Sequence, residues 1–217
     1  MCSSDLQLCA VIHDDVTTTD ELIPSGETSS YRSNPIALSE FALSRRVPDY
    51  VERSKAARAL EQDLEAGKIS DDTKKILEAF GAYPEKVTIG SCVFSHRPGD
   101  GSAREQAASC QKVLGGFANI CYEYATKRYR SNCLNWGIVP FTMDKDVPFE
   151  YESGNWVYIP DVIPGILNGK EEFDAKILDS AGQLHDIRLY VKGLSDDEKL
   201  IVTQGCLMNY YAAGYGA

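Results

Sequence analysis

Several common sequence features are missing from this chain of 217 residues. It contains no C-x-x-C pair, the usual local spacing of cysteine ligands for zinc or an iron–sulfur cluster. No apolar run approaches the roughly 18 residues that a membrane span needs. Residues 1–7 lack the basic and apolar regions of a signal peptide. These absences argue against a local cysteine metal site and indicate a cytoplasmic protein.

Positive charge is also scarce. The 22 lysines and arginines are outnumbered by 32 acidic residues, which gives a formal net charge of -10. A surface with this balance repels phosphate backbones and anionic headgroups, so neither nucleic acid nor a membrane is an expected partner. An acidic ligand would have to be bound by local arginines or helix N-termini.

The cysteine count argues against disulfide bonds. There are 7 cysteines, an odd number, and no secretory signal accompanies them. We expect most of these thiols to be buried as small hydrophobic side chains.

The order of predicted elements indicates an α/β fold. Strands are predicted at 8–16, 86–94, 117–122 and 138–143, and helices at 36–46, 103–114 and 123–136. Strands that alternate with helices through short connections are typical of a parallel sheet with helical cover. Residues 49–80 predict a peripheral helical pair, and residues 150–217 predict additional strands and a closing helix capped by Ser195.

The stretch "GDGSAREQAAS" at 99–109 allows two interpretations. In the first, Ser102 and Glu105 form a capping box at a helix start and do nothing more. In the second, the free N–H groups of that start attract an anion, Gly101 lets the backbone approach it, and Arg104 clamps a carboxylate. The pattern alone leaves both open. It lacks the third glycine of a dinucleotide site, and the chain has no P-loop and no G-x-S-x-G elbow.

Two separate motifs, in the right order, resemble a known family. "GDGSAREQAASCQKVLGGFANICYEYATKRYRSNCLNWGIVPFTM" (99–143) and "DDVTTTDELIPSGETSSYRSN" (14–34) are similar to the C-terminal swivelling domain of the aconitase superfamily. The resemblance implies one swivelling β/β/α domain over 1–217, a parallel sheet with helical cover plus additional strands. In it, 49–80 is a helical insertion and 150–217 supplies C-terminal strands and a closing helix.

The resemblance also implies an activity and a set of site residues. The activity is that of a hydro-lyase, an aconitase-like hydratase acting on a di- or tricarboxylic hydroxy acid. Ser102 matches the family's general base, which removes a proton from the carbon next to a carboxylate. The substrate-binding residues implied are Arg104, Arg32, Asp20, Ala103 and Gly101. Three positions depart from the family pattern and put citrate–isocitrate isomerisation in doubt: Ala103, Gln106 and Glu21.

The family's [4Fe-4S] cluster is implied for partner domains or a large subunit, and no metal is expected in this chain. By itself the chain should then be catalytically inactive. Two alternatives stay open: a non-catalytic carboxylate-binding module, and an RNA-binding regulatory relative, which the net charge disfavours.

Overall fold

The computed structural model of the chain describes residues 3–216, whose main sheet closes on itself as a barrel. Its strands are β1 (Ser3–Ile12), β2 (Thr17–Thr18), β3 (Val87–Ser95), β4 (Pro98–Asp100), β5 (Gly116–Cys121), β6 (Val139–Thr142), β7 (Trp156–Ile159), β8 (Glu172–Leu178) and β9 (Leu184–Tyr190). Its helices are α1 (Thr19–Leu22), α2 (Pro35–Ser39), α3 (Tyr50–Glu65), α4 (Asp71–Phe80), α5 (Arg104–Val113), α6 (Lys127–Asn135), α7 (Val162–Leu167), α8 (Asp196–Thr203) and α9 (Leu207–Ala212). Short 3-10 turns lie at Ser29–Tyr31 and Pro84–Lys86.

The sheet combines a parallel half with an antiparallel half. Strands β1, β3, β5 and β6 are neighbours and run parallel, joined by crossovers that include α5 and α6. The later strands pair antiparallel in the order β9-β8-β7, with β7 on β1 and β9 on β6 through Thr142 and Tyr190. The predicted α/β class, with a parallel sheet, helical cover and additional strands, is therefore confirmed. The additional strands extend the same sheet and close it.

The first strand begins earlier than the sequence predicted. The prediction of 8–16 is wrong because Ser3–Gln7, poor in β-forming residues, pairs with β3 on one side and mostly with β7 on the other. Those two ladders satisfy its backbone groups, and tertiary pairing outweighs local propensity. A register shift at Cys9 then bulges the strand before it reaches its end at Ile12.

Two main hydrophobic clusters lie on opposite sides of the sheet. One cluster contains side chains from all parts of the barrel, among them Leu6, Phe94, Phe141 and Phe173. The other lies between the parallel strands and the helices that cover them, and contains Leu22, Leu43, Tyr50 and Tyr129. Full burial of each large apolar side chain contributes about 1.5–3 kcal/mol, so these clusters fix the frame on which the loops are held.

Two predicted helices are interrupted in the structure. The helix predicted at 36–46 ends at Ser39, and the chain then turns through Leu43, whose φ is 54°. The closing helix is capped by Ser195 as predicted but divides into α8 and α9 at Gly205, whose φ is 89°. Gly205 lies against Gly137, where a Cβ would overlap the Gly205 carbonyl. The close contact between the Gly137 and Gly205 backbones therefore accounts for the break between α8 and α9.

Candidate functional site

The parallel strands all end at one edge of the sheet, where α/β proteins bind their ligands. The segments that leave this edge begin at His13 after β1, His96 after β3, Tyr122 after β5 and Met143 after β6. The first two are the segments that contain the two motifs. The fold therefore brings both motifs to the edge at which a ligand is expected.

A short parallel pairing joins the two motifs directly. Thr17 pairs with Pro98 and Thr18 pairs with Asp100, and the Thr17 N–H donates to the Arg97 carbonyl at 3.0 Å. The segment between β1 and α2, residues 13–34, is referred to as the long loop, and residues 99–103, which begin within β4, as the glycine turn. Because α1 directly follows β2, the pairing holds the long loop against the glycine turn. The two motifs, at 14–34 and 99–143, are thus in direct contact at this end of the sheet.

Thr19 is the point of contact between them. Its side chain is buried, and its Oγ1 accepts a hydrogen bond from the Ala103 N–H at 3.3 Å. Gly101 has a φ of 127°, which residues other than glycine rarely adopt, and a Cβ there would overlap Thr19 Oγ1. Glycine is therefore required at 101 both by its backbone angle and by the close approach of Thr19.

Ser102 lies at the exposed tip of this turn, one residue before the cap position of α5. Within residues 3–216 its hydroxyl has no hydrogen-bonding partner. The predicted capping box is wrong: the cap position is Ala103, without a side-chain cap, and the Glu105 carboxylate accepts bonds from Asn132 Nδ2 at 2.7 Å and Trp136 Nε1 at 2.5 Å. Among the residues that the structure describes, the first N–H groups of α5 therefore have no side-chain acceptor, and Ser102 lies directly before them.

The two predicted arginines differ in their surroundings. Arg104 is half-buried, and its guanidinium donates to the Gly101 carbonyl, so it lies alongside the turn. Arg32 is exposed at the end of the 3-10 turn, where its backbone N–H donates to Ser29 O at 3.4 Å. Among the described residues its guanidinium has no ion-pair or hydrogen-bond partner. The structure thus brings Gly101, Ser102, Ala103 and Arg104 together and shows no bond from Arg32 to them.

Asp20 is paired with an arginine that the sequence analysis did not single out. Its Oδ2 lies 2.6 Å from Arg45 Nη1, and both side chains are exposed. The neighbouring Glu21 lies 2.5 Å from Arg46 Nε. The sequence contained one sign of these pairs, namely two consecutive arginines that follow an acid-rich loop. Because both arginines lay in the helix predicted at 36–46, the sequence analysis did not connect them with the loop.

The charge added by Glu21 is compensated locally. Its Oε2 accepts the Thr18 N–H at 2.7 Å and its own N–H donates to Thr18 Oγ1 at 3.2 Å, a capping box for α1. Partial burial on its own would raise the pKa of this carboxyl, but the bonds from Thr18 and Arg46 outweigh it and lower the pKa below its ordinary value. Glu21 therefore stays ionised and paired, which reduces its repulsion of an anion.

The cysteines are packing residues where the structure describes them. Cys9, Cys92, Cys110, Cys121 and Cys133 are buried and Cys206 is half-buried, whereas Cys2 lies outside the described residues. Burial raises the pKa of Cys9 to about 11 and that of Cys110 to about 12, which disfavours the thiolate that a metal would need. Across residues 3–216 no three His, Cys, Asp or Glu side chains are grouped so that they could hold a metal. No helix within that range is long and apolar enough to cross a membrane.

Comparison with known proteins places this geometry in context. No family model matches the sequence, and no curated protein matches it either. Among solved structures, the chain is similar to 3-isopropylmalate dehydratase (leuD) from Methanocaldococcus jannaschii, with a TM-score of 0.56 and 21% sequence identity. The match covers 98% of this chain and 95% of that one. The chain therefore has the fold of this dehydratase.

Proposed function

We propose that this chain is the swivel domain or small subunit of an iron–sulfur-dependent hydro-lyase acting on a di- or tricarboxylic hydroxy acid. The observation that supports it most is the pairing of β2 with β4, which joins the two motifs through Thr19 and Gly101 at the carboxyl edge of the sheet. The similarity to a dehydratase across nearly the whole chain agrees with this assignment. In this proposal residues 1–217 form one domain.

Ser102 acts as the general base in this proposal. Its oxygen, as the alkoxide, takes the proton from the carbon next to a substrate carboxylate, and the electron pair left on carbon forms the double bond as the hydroxyl departs. An alkoxide needs stabilisation at neutral pH. The uncapped N–H groups at the start of α5 and its dipole supply partial positive charge next to Ser102.

The arginines bind the carboxylates of the substrate. Arg104 is already held beside the turn, and a guanidinium can bind a carboxylate through two parallel hydrogen bonds. Arg32, whose guanidinium has no partner within residues 3–216, supplies a second contact from the long loop. In this proposal the backbone of Gly101 and Ala103 lines the substrate pocket, and Asp20 lies beside that pocket.

A partner completes the site. The [4Fe-4S] cluster resides on partner domains or a large subunit, where it supplies Lewis acidity toward the leaving hydroxyl. This chain contributes the base and the arginines, and closure of the swivel domain onto the partner excludes water from the substrate. The isolated chain is inactive.

Substitution of the serine tests the proposal. In the enzyme assembled with its cluster-bearing partner, Ser102→Ala should lower turnover of a hydroxy acid by about a hundredfold or more, with little change in KM. Ser131→Ala is the matched control, because Ser131 is exposed on α6 and, within the described part of the chain, its hydroxyl bonds just to its own helix, donating to Lys127 O at 3.1 Å. Turnover retained in Ser102→Ala would remove Ser102 from the reaction. Carboxylate binding without any turnover in the wild type would instead favour a binding module.

A further inference from the structure

The turn that follows α2 has an unusual backbone. Leu43 has a φ of 54°, a region that residues with a Cβ seldom adopt, and its side chain is completely buried. Its N–H donates to the Leu22 carbonyl at 3.0 Å, and its own carbonyl accepts the N–H groups of Arg46 and Val47 at 2.9 and 2.8 Å. Such a conformation persists only where the surroundings hold it, so the turn is tied firmly to the end of α1.

This turn presents two arginines to four acidic residues of the long loop. Arg45 contacts Asp20 at 2.6 Å through Nη1 and Glu27 at 2.5 Å through Nη2. Arg46 contacts Glu21 at 2.5 Å through Nε and Asp14 at 3.3 Å through Nη2. The acids lie before, within and after α1, so one rigid turn binds the loop at several points. We refer to Leu43–Arg46 with these ion pairs as the arginine clasp.

The clasp is connected to the candidate site through α1. Thr19 touches Gly101 and bonds to Ala103, and the next residue, Asp20, is held by Arg45. A shift of α1 would therefore move both Thr19, which packs against the glycine turn, and Asp20, the acid proposed for the site. Arg32 makes no such contact among the described residues.

We propose that the arginine clasp is a positioning element of the site, in which Arg45 orients Asp20. Its ion pairs join exposed side chains, except that Glu21 is partly buried, and each pair is weak when taken singly. They act together because both arginines follow Leu43 in one turn, whose backbone hydrogen bond to Leu22 ties it to the end of α1. The catalytic consequence of the clasp rests on the proposed function, whereas its effect on the loop does not.

Amide hydrogen exchange on the full chain tests the clasp independently of any activity. Arg45→Gln and Arg46→Gln should each speed exchange in residues 18–28 by about tenfold, which lies within the range expected when two surface ion pairs are lost together. Exchange in β3 should be unchanged. Arg128→Gln, at an exposed arginine on α6, is the matched control. Should either variant fold poorly, Arg45→Lys keeps the charge without the fork and should give an intermediate rate. Exchange equal to that of the control would overturn the clasp.

Kinetics of the assembled enzyme test the positioning role. Arg45→Gln should raise KM by about tenfold with a smaller fall in kcat, since the chemical base is retained, and Arg45→Lys should restore part of the loss. Faster loop exchange with unchanged KM would contradict the role in positioning. An assembled wild type that dehydrates no hydroxy acid would overturn the proposed function, and the exchange result would then still decide on the clasp.

Discussion

Gly101 offers the sharpest test of how the two motifs fit together. In Gly101→Ala the new Cβ overlaps Thr19 Oγ1, and alanine must adopt a φ of 127°. The backbone angle costs about 1–3 kcal/mol. Displacing the Thr19 hydroxyl from the Ala103 N–H costs about 1 kcal/mol more. The free energy of unfolding should fall by about 2–4 kcal/mol, which for a chain of this length lowers Tm by roughly 4–16 °C.

Urea and thermal unfolding measure this change, with Gly26, which follows α1, as the control. Gly26 has open space around it, since no neighbouring atom lies within 4 Å of the place that a Cβ would take, and its backbone does not need a positive φ. Gly26→Ala should therefore be neutral or slightly stabilising. Combining Gly101→Ala with Thr19→Ala should cost about 1 kcal/mol less than the sum of the single changes, because the overlap is removed. Equal stability of Gly101→Ala and Gly26→Ala would refute the reasoning.

Two further predictions concern Asp5, a buried acid, and Glu105, an acid that links two helices. The Asp5 carboxyl is completely buried, and within residues 3–216 neither oxygen has a hydrogen-bonding partner. Burial raises its pKa well above the ordinary value, so the folded state holds the proton and stability falls as pH rises from about 3.9, the unfolded pKa. Asp5→Asn should therefore gain stability relative to wild type as pH rises, which urea unfolding at several pH values measures. A difference in unfolding free energy between the two proteins that stays constant across pH would contradict this. Glu105→Ala should lower the free energy of unfolding by about 1–2 kcal/mol in thermal unfolding, since the bonds of Glu105 to Asn132 and Trp136 tie α5 to α6. Glu105→Gln should lower it by less. Equal losses in the two variants would argue against this link between the helices.

The sequence was sufficient for three of the four parallel strands. The β-branched runs and the glycines after each helix predict β3, β5, β6 and the helices between them to within a few residues. The glycine turn was also located correctly at a helix start. These features are local, so a window of neighbouring residues contains the information that specifies them.

The remaining features depend on contacts between distant segments. A two-residue strand such as β2 has no periodicity, so nothing in 17–18 predicts its pairing with 98–100. The capping box was predicted from spacing alone, but Thr19 bonds to Ala103, and Glu105 is bound by α6. Arg45 and Arg46 meet their acids across a turn at Leu43 that is hydrogen-bonded to the end of α1. Tertiary contacts decided each of these cases.

Isolation of the native assembly under anaerobic conditions tests the central claim most directly. The chain would be purified from its source with whatever polypeptide accompanies it, and iron, sulfide and the hydration of cis-aconitate and its homologues would be measured. Our account predicts an assembly that contains a cluster and hydrates such an acid, with activity lost when this chain is removed. A lone chain without iron and without turnover would contradict it and reduce Ser102 to a residue of an anion-binding turn.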